Sequence, residues 1–152
     1  MFTLVPSNFF NPAAERETLA EVADLKEGDK VSHIEIPQYD AVLIYTVDGG
    51  SSVSGYPGIY GILQDLPKCP EYNKILCCIE DGTLYLAIAQ GKNLLLANYY
   101  KVKDFTTAEY FIFLAMKSLQ LNPEVSTISW KSGLSKDEEM SLYRYFKSVE
   151  QL

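Results

Sequence analysis

At 152 residues, 47% of them apolar and 22% charged, the chain is long enough for one well-buried core and short for two independent domains. Eleven tyrosines and seven phenylalanines supply large side chains for burial, which argues against wholesale disorder. Thirteen basic against twenty acidic residues give a net charge of −7, which argues against a nucleic-acid or anionic-membrane surface, because neutralising phosphates takes clustered Lys and Arg.

In chain order, Phe2-Thr3-Leu4-Val5-Pro6 reads as a short strand stopped by proline. Asn11-Pro12 then opens a helix, with Asn as cap and Pro at the first position. That helix is expected to reach about Asp24, with Leu19, Val22, Ala23 and Leu25 as its apolar stripe and Glu15, Arg16, Glu17 and Glu21 toward water. Val31 to Ile36 alternates apolar and polar residues as a half-exposed strand does, and Ala41 to Val47 is a continuous apolar run expected as a central strand buried on both faces. Pro37 to Asp40 turns one into the other, making a hairpin.

Residues 48–61 hold five of the nine glycines and read as a flexible loop or linker, with at most one helical turn from Ile62 to Leu66 before Pro67. From Ile75 to Val102 the chain spells three strands joined by two tight turns, Asp81-Gly82 and Gln90 to Asn93, which predicts an antiparallel meander. Thr106-Thr107-Ala108-Glu109 has the form of a capping box, opening an apolar run to Leu121 that is expected to be buried nearly all round. Asn122-Pro123 ends it, and Val125 to Trp130 returns as a strand. Ser135-Lys136-Asp137-Glu138 is a second capping box, opening a C-terminal helix whose apolar face is Met140, Leu142, Tyr143, Phe146 and Val149.

Few residues suggest chemistry. His33 is the single histidine and lacks partners at metal-ligand spacing, so a structural role is expected. Cys77 and Cys78 are adjacent on a strand and Cys69 sits before Pro70; three cysteines of this spacing do not form a secreted disulfide framework, and a reducing, cytoplasmic setting is expected. Asp48-Gly49-Gly50-Ser51-Ser52 after a buried strand has the composition of a phosphate loop but lacks its lysine, and an ordinary loop is the plainer reading. Asp137, Glu138 and Glu139 suit the positive end of a helix dipole better than a metal.

The opening FTLVPSNFF, the hairpin ending AVLIYTV, the meander with its GKNLLLAN turn and strand, and FTTAEYFIFLAMKSLQLNP resemble, in that order, an uncharacterised Bacteroidetes family of unknown function with an actin-like ATPase fold. The resemblance implies an α/β fold: a mixed sheet in a β-β-β-α-β-α ribonuclease H-like half-domain at 63–152, in which Val125 to Trp130 joins the sheet beside Ile75 to Ile79 through the buried helix, with a small α+β lobe at 1–47 and a linker at 48–62. It also implies two nucleotide turns, here eroded to Asp81-Gly82-Thr83, with one glycine, and Lys131-Ser132-Gly133. Members of the family are longer, which implies that one lobe of a two-lobed clamp is missing or shortened near Asp48 to Gly61.

On this reading the chain is a non-catalytic module acting through protein contacts without a cofactor; the alternative is a weak ATP-binding or ATP-hydrolysing domain with Asp81, Gly82, Thr83 and Gly133 at the nucleotide and Mg as its companion. Residues 1–50 carry a net −6 and residues 51–152 a net −1, so a basic protein partner is expected at Glu15, Glu17 and Glu21. No nucleic acid and no membrane insertion are expected. A homodimer is expected if apolar surface remains near Tyr56, Tyr60 and Ile62.

Overall fold

Residues 1–47 and 57–152 are described by the computed structural model, and their strands form two separate sheets in two units, Met1–Gly61 and Ile62–Leu152. The Asp48-Gly49-Gly50-Ser51-Ser52 segment and Tyr56 lie outside the described residues.

The first unit holds β1 (Phe2–Pro6), α1 (Glu15–Ala20), β2 (Lys30–Ile36) and β3 (Ala41–Val47). Its sheet runs β1-β3-β2, with β3 antiparallel to both neighbours. The apolar run therefore does form the central strand, and Ala41 through Tyr45 are all buried. Leu43 stands between Leu4 and Ile34 on one face, and Ile44 stands between Thr3 and His33 on the other. The hairpin closes through Asp40, whose φ of 50° is a left-handed conformation that Asp tolerates better than most residues.

Asn11 caps as expected, its side chain accepting from the Ala13 amide at 3.1 Å, but a 3-10 turn follows and α1 stops at Ala20, short of Asp24. The physical reason is Arg16. Its guanidinium donates to the carbonyls of Lys26, at 2.7 Å, and Asp29, so the chain folds back where the helix was expected to continue. Asp29 locks the return by accepting from the Lys26 amide at 2.8 Å. Leu19 is fully buried, whereas Val22, expected in the apolar stripe, is 67% exposed.

α2 (Gly58–Asp65) begins inside the segment expected as linker. Ile59, Ile62, Leu63 and Leu66 are buried, a spacing of i, i+3, i+4 and i+7 that two glycines in the same stretch obscure. Ile62 is therefore core, not the exposed surface expected for self-association, and Tyr60 is half-buried.

The second unit continues with β4 (Asn73–Glu80), β5 (Thr83–Gln90), β6 (Asn93–Lys101), α3 (Phe105–Ser118), β7 (Thr127–Trp130), α4 (Lys136–Tyr143) and β8 (Ser148–Gln151). Its sheet order is β6-β5-β4-β7-β8. The meander is antiparallel, and β7 returns parallel to β4, pairing Ser129 with Leu76 and Trp130 with Cys77, as expected. Asp81 (φ 50°) and Gly82 (φ 72°) make the first turn, a two-residue form whose twist suits a hairpin. β8, parallel to β7, was read as part of the last helix; it carries Val149 into the core as a strand residue.

One sheet face carries Ile75, Cys77, Leu86, Ile88, Ile128 and Trp130 in a core closed by α3 and α4. By strand alternation Leu76 and Ala87 point the other way, where a 3-10 turn at Leu66–Lys68 meets β4 and β5. α3 buries one face only: Ala108, Ile112, Ala115 and Met116 point inward, while Tyr110 and Leu114 are 60% and 49% exposed. Its cap is Asp104, whose carboxylate accepts from the Thr107 amide at 2.8 Å, so the expected Thr106-to-Glu109 capping box does not form. The Ser135–Glu138 box does form, with both reciprocal bonds made. α4 ends at Tyr143, leaving Met140 and Tyr143 exposed and Leu142 and Phe146 in the core.

Candidate functional site

The residues singled out for a nucleotide lie at the carboxyl ends of β4 and β7, which the parallel pairing of these strands brings to the same end of the sheet. Asp81 and Gly82 are exposed at the tip of the turn. The Gly82 carbonyl accepts from the Val102 amide at 2.9 Å, closing the turn against the end of β6. Thr83 is buried, and its hydroxyl accepts from Lys101 Nζ at 3.2 Å. On the β7 side Ser132 Oγ accepts from the Ile79 amide at 3.1 Å, and Gly133 follows in an open loop where an added Cβ would meet nothing within 4 Å. Asp81, Gly82, Thr83 and Gly133 thus share one end of the sheet, with a closed two-residue turn on one side and a loose loop on the other.

The acidic trio lies in the first unit and is not a single cluster. Glu15 contacts His33, Oε2 to Nδ1 at 2.6 Å, and the imidazole ring also lies against Phe10, centroids 4.7 Å apart. His33 is a structural residue tying α1 to β2. Glu17 and Glu21 are exposed.

The three cysteines are free. Burial pushes the Cys69 thiol up against an opposing hydrogen bond from Ser129, raises Cys77 well above the ordinary thiol range, and raises Cys78 against Ser132. Cys69, expected as a loop thiol, is buried. Among the described residues, no three His, Cys, Asp or Glu side chains are grouped so as to hold a metal ion.

Two polar constellations were missed. Asp65 sits between Lys131 and Lys68, at 2.7 and 2.8 Å. Burial raises its carboxyl, but the two lysines outweigh that and hold it below the ordinary aspartate range. The Lys131 partnership spans 66 residues and leaves no local sequence signal, whereas Asp65 to Lys68 is an i, i+3 pair readable once α2 is recognised. Glu109, the intended capping carboxylate, is instead buried between α3 and α4, where Ser141 Oγ reaches both of its oxygens at 3.1 and 2.9 Å.

Burial pushes the Glu109 carboxyl above its ordinary value of 4.5, opposed by the Ser141 hydroxyl and the nearby Arg144. With the folded value raised, the stability it contributes is complete below pH 4.5 and is lost as pH rises through the folded value. Glu109→Gln should flatten that fall in a series of thermal melts from pH 4 to 7 and leave the chain at least as stable at neutrality. A loss of more than about 1 kcal/mol at pH 7 would mean that the ionised carboxylate itself holds the helices together.

A family model described as "Protein of unknown function (DUF3822)" matches residues 59–149, more than half of the chain. The chain belongs to that family. The match takes in α2, the whole meander, β7, α4 and the start of β8, so the family is defined on the second unit and on the sheet end that carries Asp81, Thr83 and Gly133. A crystal structure from Bacteroides thetaiotaomicron VPI-5482, of a protein with actin-like ATPase fold and unknown function, superposes with a TM-score of 0.79 at 17% identity. It covers 99% of this chain, while this chain spans 64% of the length of that one. The likeness is one of fold. No curated protein matches the sequence. Among the described residues no helix is long and apolar enough to cross a membrane.

Proposed function

We propose that this DUF3822 member is a nucleotide-independent protein-interaction module built on the actin-like ATPase fold, whose second unit is the ribonuclease H-like half. Support for that half-domain comes from the strand order β6-β5-β4-β7-β8, a meander with two parallel additions. The observation that carries the functional reading is the burial of Thr83, which shields its hydroxyl from an incoming phosphate, while Lys101 Nζ donates to the hydroxyl oxygen at 3.2 Å. The Gly82 carbonyl is likewise committed to Val102, which closes the two-residue turn against the end of β6. Three free cysteines agree with a reducing, cytoplasmic setting.

A weak ATP-binding domain is the second reading, favoured by the meeting of Asp81, Thr83, Ser132 and Gly133 at one sheet end. Equilibrium dialysis against labelled MgATP separates the two. The first reading expects no retained nucleotide, and the second expects retention that Asp81→Ala removes.

An acidic docking face for a basic protein partner belongs to the same proposal, now centred on the exposed Glu17 and Glu21, since Glu15 is engaged by His33. Changing Glu15, Glu17 and Glu21 to Gln should slow association with a captured partner, as should added salt. An association rate indifferent to both would remove this face from the proposal.

A further inference from the structure

The ladder between β4 and β7 ends irregularly. The Lys131 amide donates to the Cys77 carbonyl at 2.8 Å, as the parallel register requires, and in a ladder carried one step further the Ile79 amide would donate to the Lys131 carbonyl. Ser132 Oγ takes the Ile79 amide in its place, at 3.1 Å. The carbonyls of Trp130, Lys131 and Ser132 face β8, where Gln151 Nε2 donates to them at 2.9, 3.4 and 3.3 Å. Two arrangements of this segment therefore give the Ile79 amide an acceptor: the one observed, and one in which the Lys131 carbonyl rotates onto Ile79 and β7 gains a residue. Their interchange turns the peptide plane between Lys131 and Ser132. Gly133 lets the chain beyond follow, since it is exposed and stands in open space.

What restrains the segment comes from outside it. Trp130 belongs to the core on the α3 side of the sheet, so by strand alternation Lys131 points to the opposite face, where its Nζ meets Asp65 Oδ2 at 2.7 Å. Asp65 is the last residue of α2, the helix along which the chain passes from the first unit to the second. Its side chain is only 18% exposed, and a pair so far withdrawn from water is screened less than a surface pair. Lys68 meets the other carboxylate oxygen at 2.8 Å and is itself largely in solvent.

We propose that Asp65 and Lys131 form a latch through which α2 sets the conformation of the sheet end at Ser132 and Gly133. Closed, the latch keeps the Lys131 carbonyl on Gln151 and leaves Ile79 to Ser132. Open, it lets that carbonyl swing onto Ile79 and extend β7. The placement of α2 and the shape of the loop are then two ends of one equilibrium, and each biases the other. The latch is a conformational device and stands under either reading of this sheet end.

Amide hydrogen exchange, followed residue by residue by NMR on the full chain, is the test. Asp65→Asn, which keeps the shape and removes the charge, and Lys131→Met should each speed exchange about tenfold at Gly133 and in the last turn of α2, with β5 and β6 unchanged. Lys68→Ala removes only the outer partner and should leave the Gly133 rate as it is. The most discriminating variant is Ser132→Ala. Alone, it strips the Ile79 amide of its acceptor while the latch holds the Lys131 carbonyl away, so exchange at Ile79 should rise about tenfold or more. Combined with Asp65→Asn, it should let the Lys131 carbonyl take over, and the Ile79 rate should fall back toward the native one. Circular dichroism checks each fold, and should Ser132→Ala not fold, the Gly133 rates in Asp65→Asn and Lys68→Ala decide. An Ile79 amide that exchanges no more slowly in the double variant than in Ser132→Ala overturns the latch. A Gly133 rate indifferent to Asp65→Asn, or raised equally by Lys68→Ala, overturns it as well.

Discussion

Trp130→Ala should cost about 3–5 kcal/mol, the largest single loss expected in the second unit, because it empties the volume of the largest fully buried side chain. Trp130 lies at the end of β7, beside Cys77 of β4, with its ring 5.6 Å from Phe105 at the start of α3. The same residue anchors the sheet's last strand, since its carbonyl accepts from the Leu152 amide at 2.8 Å and from Gln151 Nε2 at 2.9 Å. Its indole N–H finds no acceptor among the described residues. Leaving such a donor unmade costs about 1–3 kcal/mol, so Trp130→Phe, which removes the N–H and keeps one ring, should lose about 1 kcal/mol or less. Trp130 is the chain's one tryptophan, so urea unfolding followed by far-ultraviolet circular dichroism is the appropriate readout. Equal losses for Ala and Phe would place the stabilisation in the indole N–H and contradict a packing role.

In the first unit Ile44→Ala is expected to cost about 2–5 kcal/mol, and Ile44→Val about 0.5–1.5 kcal/mol. Ile44 is fully buried at the middle of β3, paired with Thr3 of β1 on one side and His33 of β2 on the other. His33 is held by Glu15 of α1, so Ile44 faces the side of the sheet on which that short helix lies. A helix of six residues contributes little stability by itself and depends on this packing. Hydrogen exchange at the β3 amides reads the effect directly. Protection in β3 that is indifferent to the alanine variant would mean that this face of the sheet is not the packed core described.

The meander was legible because its signals are local, whereas the placing of β7 beside β4 came from the resemblance in fold. Asp81-Gly82 permits two consecutive positive φ angles, and runs of β-branched and apolar residues flank it at strand length. What failed depended on partners that spacing alone does not rank. Thr106, Thr107 and Glu109 have the spacing of a capping box, yet Asp104 reaches the Thr107 amide first and Glu109 is drawn to Ser141, 32 residues on. α1 stops early because Arg16 grips two carbonyls of the following loop. β8 reads as polar helix, since in Ser148-Val149-Glu150-Gln151 Val149 alone is buried and the strand is defined by its neighbour β7. Asp81-Gly82 was legible as a turn at a strand end, but the hydrogen bond from Lys101 to the Thr83 hydroxyl follows from strand register and could not be read from spacing.

Thermal melting of the full chain in a titration of MgATP tests the central claim most directly. A ligand at 100 times its dissociation constant stabilises the folded state by about 2.7 kcal/mol, well within what a melting curve resolves. The buried Thr83 hydroxyl and the closed Asp81-Gly82 turn predict no shift at any MgATP concentration. A rise in melting temperature that saturates with MgATP and disappears in Asp81→Ala or Thr83→Ala would contradict the account and make this sheet end a nucleotide site.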